Sequence, residues 1–150
     1  MMKVLLVIHG AVSVVLMGSA THHGLCARNL WADGPVRERL LRVYRGVLFF
    51  SYIVVGGMGL WLYPSFRTGV RTPQFDAQHS LVHAFFEVKE YCFLFGLLAL
   101  LGICILGYRV QLGALEQTSR RLYAVMSLFV MMAVWMLFFV GLSVTTIQPV

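Results

Sequence analysis

The chain has 150 residues, 59% of them hydrophobic and 12% charged, with a formal net charge of +6. A soluble domain carries about 25% charged residues, and one this short leaves too much surface exposed to hide so many apolar side chains from water. A water-soluble globule is therefore excluded, and a lipid bilayer is the expected surround.

The basic residues lie mainly between apolar runs and form no extended stripe, which fits loops that meet anionic lipid and argues against nucleic acid as a partner. Three cysteines are present, Cys26, Cys92 and Cys104. There is no CxxC and no CxxCH, so neither a zinc ribbon nor a covalent c-type haem is expected. Cys92 and Cys104 sit in one apolar helix, too far apart to pair, and all three read as small buried hydrophobes.

The first apolar run covers about 4–20. Lys3 before it and Gly18-Ser19-Ala20 at its end resemble a signal peptide, but the run reads as a retained transmembrane helix over about 4–25. Loop 1 follows over roughly 26–45 and is rich in arginine. Within it Asp33-Gly34-Pro35 is a turn signal, and Pro35 suits the first turn of a short helix. Leu40, Leu41 and Tyr44 mark one face of that helix, which is expected to lie on the membrane surface and run on into helix 2.

Helix 2 is expected over about 46–63. Gly56, Gly57 and Gly59 make a candidate packing face, because small residues let backbones approach closely in lipid. Trp61 and Tyr63 suit the interface, and Pro64 is expected to end the helix. Loop 2 carries Arg67 and Arg71. Thr72-Pro73 reads as a helix start, and no proline interrupts the chain from there to Tyr108. Only ~20 residues are needed to cross the hydrocarbon. The segment therefore divides into an amphipathic extension over about 73–90 and helix 3 over about 91–108. Loop 3 is short, and helix 4 covers about 122–144. Arg42-Val43-Tyr44 and Arg121-Leu122-Tyr123 open helices 2 and 4 alike, a match too short to establish a repeat.

The expected fold is thus one all-α domain over 1–150, a bundle of four transmembrane helices. It carries an interfacial helix in loop 1 and a helical extension before helix 3. Loops 1 and 3 hold Arg28, Arg37, Arg39, Arg42, Arg45, Arg109, Arg120 and Arg121, against Lys3, Arg67, Arg71 and Lys89 on the other side. The positive-inside rule then puts both loops in the cytoplasm and both termini outside, in a bacterial inner membrane.

Ionisable groups in a bilayer are costly, so each raises a functional question. His9 lies within helix 1, either bonded to a neighbouring helix or ligating haem or metal. His79, His83 and Glu87 are spaced i, i+4, i+8 on one helix face, beside Asp76 and Glu90. Such a stripe can bind a transition metal or relay protons; it can also be the solvated face of an interfacial helix. Arg67 and Arg71 lie on the same side and suit haem propionates, lipid phosphates or the nearby carboxylates. His22 and His23 fall near the other end of helix 1, too far from His9 to share a site with it. The methionines of helix 4, Met126, Met131, Met132 and Met136, read as adaptable packing. No GxGxxG, Walker, GxSxG or zincin pattern occurs, and an independent catalytic activity is not expected.

The first functional expectation is a small subunit of a larger bioenergetic, respiratory-type membrane complex. It would bind b-type haem through His9 with His79 or His83, and hold propionates with Arg67 or Arg71. The alternatives are a structural subunit that packs against other membrane subunits without a cofactor, and a small metal- or proton-handling transporter.

Overall fold

The computed structural model describes residues 2–32, 34–69, 80–109 and 116–147, apart from the side chains at 2, 3, 65–69, 80–83, 85, 86, 109 and 144–147. These residues form four α-helices and no strand. They are α1 (Met2–Trp31), α2 (Glu38–Gly69), α3 (Ser80–Arg109) and α4 (Gln117–Ile147). Each contains an apolar stretch long enough to cross a membrane: Val4–Trp31, Glu38–Pro64, Glu87–Tyr108 and Gln117–Ser143. At ~1.5 Å per residue even the shortest exceeds the ~30 Å of hydrocarbon. The chain is a four-helix integral membrane bundle.

Successive helices run antiparallel. His9, near the start of α1, lies beside Gly59, near the end of α2, while His22 stacks on Tyr44 near the start of α2. The bundle therefore has a terminal end, with the start of α1 and the end of α4, and a hairpin end, with the α1–α2 and α3–α4 connections. Packing is uneven. α1 lies against both α2 and α4, and α4 lies against α3, whereas α2 and α3 meet at few points.

The buried residues follow helical spacing. On α1 a stripe of them runs through Leu16, Ala20, His23, Ala27 and Leu30, and on α4 through Tyr123, Ser127, Val130 and Val134. Steps alternating between three and four residues keep one stripe facing the neighbouring helix at a shallow crossing angle. Gly24 narrows this seam: a Cβ there would lie 2.8 Å from Met131 Sδ and 3.1 Å from its Cβ. Trp135 Nε1 also donates across it to Thr21 Oγ1, at 3.0 Å. The outward faces are apolar, with Phe50, Leu60, Trp61 and Ile105 among the most exposed side chains. Water would penalise that surface; lipid does not.

The α2–α3 edge is closed by a reciprocal clasp. Tyr52 and Phe93 stack with centroids 5.0 Å apart, and the Tyr52 hydroxyl donates to the Phe93 carbonyl at 2.8 Å. Each ring lies over a glycine of the opposite helix. A Cβ at Gly56 would strike the Phe93 ring, and a Cβ at Gly96 would strike the Tyr52 hydroxyl. Nearer the hairpin end the same edge is crossed by Arg45, whose guanidinium fills the space where a Gly107 Cβ would stand.

Four expectations are corrected. The helix assigned to the surface in loop 1 is the first turns of α2 itself, which begins at Glu38 and not at Pro35. Leu41 already belongs to the buried series Leu41, Leu48 and Tyr52, so the register is continuous. α1 persists to Trp31, where Gly34 N–H donates to Asn29 C=O at 2.9 Å and closes the helix end. Pro64 does not end α2, which continues to Gly69. A proline removes one backbone donor and crowds the preceding turn, yet transmembrane helices tolerate this. The three glycines do not share a face either. Gly56 meets α3 and Gly59 meets His9 of α1, but Gly57 is exposed, with nothing within 4 Å of its Cβ position. Successive residues turn ~100° about a helix, which carries Gly57 off the seam.

This geometry predicts that Gly56→Leu and Gly96→Ala each lower the stability of the detergent-solubilised bundle by about 1–3 kcal/mol through overpacking. Gly57→Ala should leave it within error of the parent. Thermal unfolding followed by circular dichroism checks all three.

Candidate functional site

Polar side chains gather at two levels of the bundle, one in each half. At the terminal end the centre is His9. The α1 stripe that buries Leu16, Ala20 and His23 passes through it at the same seven-residue step, so the imidazole points toward the bundle. Ser13 Oγ donates to the His9 carbonyl at 2.8 Å, which occupies the backbone and leaves the ring untouched. His9 Nδ1 is buried and has no hydrogen-bond partner among the described residues. A Cβ at Gly59 would stand 4.0 Å from His9 Cε1, so the α2 backbone passes close to the ring edge.

Lys89 of α3 completes this level. Its charge reaches His9, and its Nζ would lie 3.9 Å from a Cβ at Gly141 of α4. All four helices thus approach one place. Glu90 is the carboxylate whose charge reaches Lys89. Both Glu87 and Glu90 are exposed on α3.

Of the other residues expected at this end, His83 and Arg67 lie within α3 and α2, but their side chains fall outside the described set; His79 and Arg71 fall outside the described residues altogether. The metal stripe His79, His83, Glu87 is therefore represented by Glu87 alone. Among the described residues no three of His, Cys, Asp and Glu stand close enough to hold a metal ion.

The second level lies toward the hairpin end and joins His23, Tyr123 and Arg45. His23 and Tyr123 are both fully buried, and His23 Nε2 is 3.0 Å from the Tyr123 hydroxyl. The Arg45 guanidinium stands at the same hydroxyl. Its charge also reaches His23 and Cys104. A guanidinium only donates, so the phenolic oxygen accepts from Arg45 and passes its own proton toward His23 Nε2. That arrangement satisfies both contacts and puts the imidazole proton on Nδ1, an atom without a hydrogen-bond partner among the described residues.

The two adjacent histidines therefore differ. His23 is a core residue bonded to Tyr123, whereas His22 is exposed and stacked on Tyr44 at 5.1 Å with an interplanar angle of 11°. Each takes the tyrosine of one of the two short matching tripeptides. The methionines divide as expected of packing residues. Met131 fills the seam at Gly24, Met126 fills the space at Gly102, Met132 is exposed, and Met136 Sδ accepts from Cys92 Sγ at 3.6 Å.

Sequence reasoning singled out His9 but treated Lys89 as a loop-side cation and Arg45 as loop charge. One signal was legible for His23: it follows His9 by fourteen residues, about four helical turns, which returns it to the same face. No comparable signal marks Arg45 or Lys89, because their partners come from distant helices.

Compared with protein-family models, curated proteins and solved structures, the chain finds no match. The functional reading therefore rests on the two polar levels.

Tyr123→Phe would leave both His23 Nε2 and Arg45 without the phenol. An unsatisfied buried group costs about 1–3 kcal/mol, and thermal unfolding should show a loss of that order. His22→Ala removes only an exposed stack and should cost less. Equal losses for the two variants would contradict the buried network.

Proposed function

We propose that this chain is a small integral membrane subunit of a larger bioenergetic, respiratory-type complex, with its working site at the terminal end around His9 and Lys89. The observation that carries this reading is that His9 of α1 and Lys89 of α3, two ionisable side chains, stand at the terminal level of the bundle with the charge of one reaching the other. Burial of such groups is costly and marks function by default. The apolar outward faces of all four helices suit packing against further membrane subunits as well as lipid. The charge bias supports an orientation with the hairpin end in the cytoplasm and both termini outside, in a bacterial inner membrane.

The cofactor assigned to this site is b-type haem. His9 offers a buried imidazole that no other described group occupies at Nδ1. A second axial imidazole would come from His83 or His79. His83 lies six residues before Lys89, ~9 Å further toward the terminal end of α3. Arg67 and Arg71 would hold the propionates. When bound, haem would supply one-electron transfer, and the chain would set its orientation and potential.

A second reading follows from Lys89 itself. An imidazole and an amine side by side compete for one proton, which is the arrangement a proton- or metal-handling membrane protein uses.

An absorption spectrum of the protein purified from haem-replete membranes separates the two. The haem reading expects a Soret band that shrinks in both His9→Ala and His83→Ala. Absence of the band from the parent removes haem and leaves the proton-handling reading and the cofactor-free structural subunit, whereas a band that survives in both variants overturns His9 and His83 as the ligands and moves them to His22, His23 or His79. The orientation expects that a membrane-impermeant thiol reagent applied to intact cells does not label a cysteine placed at Gly34. Labelling there reverses the topology.

A further inference from the structure

The polar level at the hairpin end carries an inference that is independent of the function proposed for the terminal end. Arg45 lies seven residues inside the apolar stretch Glu38–Pro64, about 10 Å along the helix. Helix side chains lean toward their own N-terminus, which for α2 is the hairpin end. The long stem therefore carries the guanidinium outward, to the level of Gly107 of α3, one residue before Tyr108, where the apolar stretch of α3 ends. Its Cα sits in hydrocarbon while its charge reaches the headgroup boundary.

A cation at that depth needs an anion. The groups that its charge reaches include a phenol, an imidazole and a thiol, those of Tyr123, His23 and Cys104. None of these three is a carboxylate. His23 and Tyr123 are fully buried, but Arg45 is partly exposed, so it is the member of the network that a molecule in the membrane can reach. It also crosses the α2–α3 edge, where the helices meet least. Around it the hairpin end presents exposed Arg39, Arg42 and Arg121, with exposed Trp31 and Tyr108 at the interface.

We propose that Arg45, where it crosses the α2–α3 edge to Gly107, binds the phosphate of an anionic phospholipid, with the acyl chains lying against the apolar faces of the two helices. The planar guanidinium presents paired donors that match phosphate oxygens, whereas a compact ammonium meets them only as a point charge. Arg39, Arg42 and Arg121 raise the local concentration of anionic headgroups. The net charge of the lipid selects it, since a zwitterionic headgroup brings its own cation to an already positive rim.

Native mass spectrometry of the full chain released from detergent tests this, with phosphatidylglycerol and phosphatidylcholine of identical acyl chains as probes. The parent should retain phosphatidylglycerol several-fold over phosphatidylcholine. Arg45→Gln should abolish the preference, and Arg42→Gln should only weaken it. Equal retention of the two lipids by the parent, or an undiminished preference in Arg45→Gln, would overturn the site. Should Arg45→Gln fail to fold, Arg45→Lys keeps the charge and loses the fork; a preference unchanged from the parent then overturns it, and a reduced one supports it. Inorganic phosphate should not displace the lipid. Displacement by it would reassign the site to a free anion and overturn the lipid proposal.

Discussion

Close approach of helix backbones is the constraint on which the rest of this bundle depends. In lipid, a leucine gains little by moving from acyl chains to another helix, so apolar burial alone does not choose one packing. The choice falls to positions where a side chain is missing. Met131 enters at Gly24, Phe93 at Gly56, Tyr52 at Gly96, and Arg45 at Gly107. Two of these form the reciprocal clasp that fixes α2 against α3, and the Tyr52 hydrogen bond to the Phe93 carbonyl locks its register. Without the clasp, the edge that the helices share least would have little to define it.

The same close packing creates the two polar levels. α1 and α4 form the continuous seam, and α1 presents His9 and His23 along it four turns apart. Between them the stripe is Leu16 and Ala20, while Ser13 and Ser19 bond back to their own helix. The levels are thus insulated from one another by apolar side chains, and no continuous hydrogen-bonded path joins them among the described residues. They also differ in kind. The network at the hairpin end is threaded through one phenol that serves both a guanidinium and an imidazole. The terminal level brings an imidazole within reach of the charge of an amine, two side chains that both exchange protons.

Arginine placement ties the bundle to its surround. The long side chain of Arg45 lets one residue do two jobs: its stem lies along the α2–α3 edge and its head reaches the boundary where phosphate resides. Lys89 is the counterpart from α3, whose N-terminus is at the opposite end. The lean of helix side chains toward the N-terminus carries it toward the terminal end and His9. The antiparallel order of the helices therefore directs both cations outward.

The sequence by itself determined that this is a membrane bundle of four helices, because four apolar runs of sufficient length have no other stable surround. It also determined that ionisable residues such as His9 stand where lipid would penalise them. Helix ends were less legible: Pro64 reads as a stop in water-soluble terms, yet α2 runs through it. Only the tertiary structure decided which glycines matter, separating Gly56 and Gly59 from Gly57, and which histidine is core, separating His23 from His22. It alone brought Lys89 to His9 and Arg45 to Tyr123 and Gly107. These pairings join residues tens of positions apart on different helices. Helical periodicity fixes which residues of one helix share a face, but not the rotation and depth at which a second helix meets that face. In lipid those are set by a handful of close contacts that leave no periodic trace in the chain.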